Sequence, residues 1–189
     1  MSTRTVLLTD AMTGRPVEAT LHLALAEARV RAVEVIWAPL RAALRAQHSH
    51  WDWDYKAGFL VDPGVRCLGI DRVGRMQGMM LLRETGFMAR LDPDRGQPLV
   101  YVDYVESAPW NIPVGTREYP GVGLMLIQEA VRRSVDLGFG GRIGLHALPQ
   151  VETFYSRKCG MVGCGPDAGY HGLEYFEFTA ADARTFAEV

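Results

Sequence analysis

The chain has 189 residues, 48% of them apolar and 22% charged, which suits one packed domain spanning residues 1–189 and excludes a disordered chain. A formal net charge of -2 excludes a general nucleic-acid or anionic-membrane surface, so any recognition of anions is local. Three cysteines (Cys67, Cys159, Cys164) without zinc-type spacing, no signal-type apolar run and no stretch of ~20 apolar residues lead to the expectation of a cytoplasmic protein with reduced thiols and no membrane span.

In chain order, Thr5–Leu8 and Val17–Leu23 read as short strands flanking the turn Met12-Thr13-Gly14-Arg15-Pro16. From Ala26 to Ala46 the residues Val30, Val33, Ile36, Trp37, Leu40 and Leu44 recur at helical spacing, with Arg31, Glu34, Arg41 and Arg45 between them. Pro39 is expected to kink or split that helix. The irregular stretch from His48 to Asp54 follows, then strands at Val65–Asp71 and Met76–Arg83 around a hairpin turn at Gly74. The alternating run Leu99–Glu106 reads as a strand ending before Pro109. A helix begins at Tyr119-Pro120-Gly121-Val122-Gly123 and reaches about Leu137, where Gly138 stops it. Arg142–Leu145 reads as a buried strand, Pro149–Lys158 as a short helix and Leu173–Thr179 as a last strand.

The glycine-rich helix start is the chemically suggestive feature. The first N–H groups of a helix have no acceptor within it, and they lie at the positive end of its dipole. Glycine lets a ligand approach the backbone closely, so a phosphate is a natural occupant. The same residues also make an ordinary helix cap.

In its order of elements the sequence resembles the GNAT superfamily of acyl-coenzyme-A-dependent N-acetyltransferases, most closely from Val65 to Phe178. That family carries a Q/R-x-x-G-x-G/A motif between its fourth strand and third helix. The matching stretch here is Glu118-Tyr119-Pro120-Gly121-Val122-Gly123, with Glu118 in place of Gln or Arg and Arg117 one residue earlier. A second match, Phe154-Tyr155-Ser156-Arg157-Lys158-Cys159-Gly160-Met161, looks like the family's F-Y-x-x-x-G-F segment. Upstream of it, Leu148 and Val151 stand where the family commonly has Asn and Ala.

The resemblance implies an α/β (α+β) fold with a mixed, mostly antiparallel central sheet flanked by helices, and acetyl-CoA as cosubstrate with no metal. Arg117, Tyr119, Gly121, Val122, Gly123 and Leu124 would hold the pyrophosphate, with Arg157 within reach of the coenzyme phosphates. Backbone N–H groups around Val105, Glu106 and Ser107 would hold the pantetheine or polarise the thioester. Tyr155 would donate a proton to the departing thiolate. Glu106, Asp103 and His146 are the candidate bases, with Glu106 placed first because it lies near the end of its strand.

The acceptor is expected among the first helices and the segment His48–Lys56. If that segment is extended, His48, His50, Asp52 and Asp54 share one face and Trp51 and Trp53 the other. The spacing fits no established zinc pattern. Trp51 and Trp53 are read as anchoring the segment, Asp52 or Asp54 as meeting a cationic amine, and Trp110 as contributing from the other side. The function implied is acetyl transfer to a small-molecule or peptide amine, with a homodimer as one allowed assembly. The alternative is a noncatalytic acyl-CoA-binding sensor or protein-interaction domain of the same fold.

Overall fold

Two antiparallel strands open the chain, β1 (Thr3–Thr9) and β2 (Pro16–His22), in register from Thr3 opposite His22 to Thr9 opposite Pro16. They close the expected turn, where the Asp10 carboxylate accepts from the backbone N–H groups of Met12 and Thr13. The computed structural model describes residues 2–44, 51–112 and 117–187. The expected roles of His48, Ser49 and His50 lie outside the described residues.

Eight strands are hydrogen-bonded in the order β1-β2-β3-β4-β5-β6-β8-β7. The others are β3 (Val65–Arg72), β4 (Arg75–Arg83), β5 (Val100–Ser107), β6 (Ile143–Ala147), β7 (Val162–Asp167) and β8 (Leu173–Phe178). The pairs β1–β2, β2–β3, β6–β8 and β7–β8 are antiparallel, and β5–β6 is parallel. The helices are α1 (Glu27–Ala43), α2 (Trp53–Ala57), α3 (Val122–Asp136) and α4 (Ala180–Ala187).

The chain forms two compact units, residues 1–81 with 105–126 and residues 82–104 with 127–189. In the first, Leu21, Leu25, Val30, Val33, Trp37, Trp53, Leu68, Ile70 and Met79 are buried. Val73 and Gly74, both at positive φ, turn β3 into β4 as a two-residue hairpin loop requires. In the second, Leu99, Val100, Val102, Ile143, Leu145, Phe176 and Phe178 form the strand side of the core, with Ala183 and Phe186 supplied by α4.

Four expectations about elements change. Helix α1 runs through Pro39 as one helix. Its inward stripe is Val30, Val33, Glu34, Trp37 and Arg41, whereas Ile36 and Leu40 face outward. Two charges seven residues apart lie on one helical face, and here they turn inward because they pair with each other. The stretch expected as one helix over Pro149–Lys158 is helical throughout, but its winding changes from a 3-10 turn at Pro149–Val151 to a π-helical turn at Phe154–Cys159, stopped by Gly160 in the left-handed region. Finally, β7 and α4 have no counterpart among the expected elements. The strand β7 contains two glycines and a proline, with a register shift between Gly163 and Pro166, which an edge strand tolerates.

Candidate functional site

The first unit buries four charged side chains together: Glu34 and Arg41 of α1, Lys56 of α2 and Glu106 of β5. Arg41, 1% exposed, donates from Nη2 to Glu34 Oε1 at 2.5 Å and to the Trp51 carbonyl at 2.7 Å, and from Nη1 to Glu106 Oε1 at 3.4 Å. Trp53 donates its indole N–H to Glu106 Oε2 at 2.6 Å. One carboxylate is thus held by donors from two helices. The Lys56 ammonium lies 4.4 Å from the Trp51 ring centroid and 5.1 Å from that of Trp53. Burial pulls Lys56 down to about 8, against the opposing pull of Glu106.

The condition under which Asp52 and Asp54 would share a face, an extended chain, ends at Asp52, and α2 begins at Trp53. Asp52 caps α2 by accepting from the backbone N–H groups of Asp54 and Tyr55, so Trp53 turns inward and Asp54 outward. Asp54 pairs with Arg31 at 2.6 Å on the surface. Both acids expected to meet a substrate amine therefore already have protein partners.

At the start of α3, Gly121 adopts φ +92°, a conformation open to glycine. The first helical hydrogen bond there runs from the Met125 N–H to the Gly121 carbonyl. The N–H groups of Val122, Gly123 and Leu124 thus precede any acceptor within the helix, and no acidic side chain lies in the first turn. This end of α3 packs closely on β4: a Cβ added at Gly78 would lie 2.5 Å from Val122 Cγ1 and 3.0 Å from Leu126 Cδ1.

The preceding loop is tied to β4 by amides. Asn111 donates from Nδ2 to Gln77 Oε1 and accepts from the Tyr119 N–H, and Trp110 donates to the same Gln77 oxygen at 2.9 Å. Glu118 pairs with Arg75, whose guanidinium stacks on Trp110 at 3.7 Å. Arg117 is exposed.

In the second unit, His146 is fixed on both ring nitrogens, Nδ1 to Tyr101 Oη at 2.8 Å and Nε2 to Asp167 Oδ2 at 3.1 Å. Its ring stacks on Tyr170. Burial lowers its proton affinity, whereas Arg90 and His146 hold Asp167 down at about 2. Tyr155 is buried against Phe154 and Phe176, and burial pushes its phenol well above the usual range. Arg157 is exposed. Asp103 pairs with Arg83 at 2.6 Å. The thiols of Cys67 and Cys159 are pushed up to about 12 by burial, which keeps them protonated and unreactive at neutral pH.

This arrangement of strands and helices recurs in solved structures. A GNAT-family acetyltransferase from Listeria monocytogenes matches over 92% of this chain and 99% of its own, at TM-score 0.60 and 13% identity. FeeM, an N-acyl amino acid synthase from uncultured soil microbes, matches over 88% and 93%, at TM-score 0.63 and 14% identity. The chain has the GNAT fold. AtaTR, solved with acetyl-CoA bound, is a further match over 88% and 96%, at TM-score 0.56 and 15% identity. No family model and no curated protein matches the sequence.

Within the GNAT fold of this chain, Glu106 and Trp53 are in contact, Gly121, Val122, Gly123 and Leu124 are consecutive at the opening of α3, and Tyr119 lies two residues before Gly121. Val105 and Ser107 flank Glu106, half-buried at the end of β5. Arg41, Glu34 and Lys56 belong to the charged cluster without having been singled out from the sequence. Two signals could have found them: the two charges seven residues apart in α1, and one of only two lysines in a chain with eighteen arginines. No described helix is long and apolar enough to cross a membrane. Among the described residues no three acidic, histidine or cysteine side chains converge as a metal site would require.

Proposed function

We propose that the chain transfers an acetyl group from acetyl-CoA to a primary amine by direct attack in a ternary complex. The observation that carries this reading is the opening of α3 in a GNAT fold. There Gly121 at φ +92° leads into a helix turn with unpaired N–H groups and no competing acid. These donors suit a pyrophosphate. Arg117 is an exposed cation in the chain just before these donors, Glu118 is offset by Arg75, and the resemblance assigns Arg157 to the coenzyme phosphates as well.

Acetyl-CoA supplies the activated thioester carbonyl. The amine nitrogen attacks that carbon as the C–S bond breaks. Glu106 accepts the proton that the nitrogen sheds, its carboxylate oriented by Trp53 and Arg41. Backbone N–H groups of Val105, Glu106 and Ser107 stabilise the developing oxyanion. The role that the resemblance gives Tyr155, proton donor to the thiolate, needs a protonated phenol, and its buried surroundings keep it protonated. The acceptor class is a small-molecule or peptide amine, with Trp51 and Trp110 as candidate walls.

A second reading has its own support. Glu106 is 4% exposed with two protein donors, as suits a structural carboxylate in a noncatalytic acyl-CoA-binding member of the fold. Thiol release from acetyl-CoA over a panel of amines and basic peptides, with mass spectrometry of the products, separates the two. Acetyl transfer expects an amine product heavier by one acetyl group. Saturable acetyl-CoA binding with no thiol release on any acceptor would favour the sensor.

A further inference from the structure

The chain has eighteen arginines and only two lysines, Lys56 and Lys158. Lys158 is exposed, whereas Lys56 is 3% exposed and its ammonium lies over the rings of both Trp51 and Trp53. The choice matters chemically, because arginine keeps its proton in proteins and a buried lysine can release one.

The charged groups facing Lys56 are Glu34 and Arg41 from α1, Glu106 from β5, and Asp52 at the start of its own helix. With Lys56 protonated, the two buried carboxylates and two buried cations balance. With Lys56 neutral, Glu34, Arg41 and Glu106 together carry one negative charge. The cluster also has hydrogen-bonding capacity to spare. Among the described residues, the buried Glu34 Oε2 and Arg41 Nε have no hydrogen-bond partner.

We propose that Lys56 is a positioning residue acting through Glu106: as an ammonium it balances the cluster and disfavours a cationic amine, and as a neutral amine it leaves the negative charge that receives one. This rests on the acetyl-transfer reading for its purpose, since an amine acceptor arrives as an ammonium. Burial brings the change of state to about pH 8, within ordinary working conditions.

The test uses the full chain with isotopically labelled lysine, where Lys158→Arg identifies the Lys56 signal. Its titration midpoint is expected near 8, moving lower in Glu106→Gln because a carboxylate that favours the ammonium is gone. A midpoint unmoved by Glu106→Gln would overturn the coupling. Calorimetry with n-butylammonium chloride at pH 7 and pH 9 then reads the consequence. In the unaltered chain the Kd is expected to fall about tenfold at the higher pH, because the neutral fraction of a lysine with a midpoint near 8 rises about tenfold between pH 7 and pH 9.

Lys56→Met is expected to bind equally tightly at both values and Lys56→Arg equally weakly at both. An unaltered chain with the same Kd at both values, or a Lys56→Arg variant that still tightens, would overturn the proposal. Neither readout needs turnover. A chain that showed these patterns and acetylated no amine would contradict the acetyl-transfer reading alone.

Discussion

The indole N–H of Trp53 reaches Glu106 Oε2 at 2.6 Å, joining the first turn of α2 to the last residues of β5 through two buried side chains. A hydrogen bond to a buried carboxylate is worth more than one between neutral groups, because the charge has few other partners. Trp53→Phe keeps most of the ring and removes the donor. Chemical denaturation is expected to show a loss of about 1–3 kcal/mol. A variant as stable as the parent would show that the contact contributes nothing.

Lys56 makes stability depend on pH in a determined direction. Its folded value of about 8 lies below its ordinary 10.5, so between these values the unfolded chain holds a proton that the folded chain has released. Stability from this group therefore rises with pH across that window, and below about pH 8 the whole penalty applies. The shift corresponds to about 3 kcal/mol. Lys56→Met is expected to be at least as stable as the parent at pH 7, with its advantage shrinking by pH 10. An advantage that grew with pH would refute the assignment.

Gly78 is where β4 and the opening of α3 meet most closely. Gly78→Ala places a methyl group against Val122 Cγ1 and Leu126 Cδ1, so the first turn of α3 must shift. Overpacking of this kind costs about 1–3 kcal/mol. The expected signature is weaker acetyl-CoA binding out of proportion to the stability lost. Unchanged affinity would detach Gly78 from the proposed phosphate site.

Much of the architecture was legible in the sequence because turn chemistry and periodicity agreed. Gly74, Gly121 and Gly138 mark a hairpin and the two ends of α3, and each stands at positive φ. The helix α4 was missed although Thr179 and Asp182 form a reciprocal cap at its start, a pattern readable three residues apart. The inward face of α1 was misread for a physical reason. Apolar spacing pointed to Ile36 and Leu40, but Glu34 and Arg41 satisfy each other and take the buried stripe. Similarly, Asp52-Trp53-Asp54 was read as irregular, with a shared polar face only if extended, and the capping carboxylate of Asp52 starts a short helix there instead.

His146 was a candidate base, and its geometry points to a different duty. With Tyr101 on one nitrogen and Asp167 on the other, it holds β5, β6 and β7 of the second unit together. His146→Gln is expected to lower stability by about 1–3 kcal/mol. Turnover per folded molecule should remain within about twofold, since general-base loss typically costs 10²–10⁴-fold. A hundredfold loss in a fully folded variant would return His146 to the chemistry.

The central claim is that the opening of α3 receives the phosphates of acetyl-CoA, and backbone amide chemical shifts under titration test it most directly. The account predicts saturable changes that are largest at Gly121, Val122, Gly123 and Leu124, with a second group at Val105, Glu106 and Ser107. No saturable change at these amides up to millimolar acetyl-CoA would contradict it.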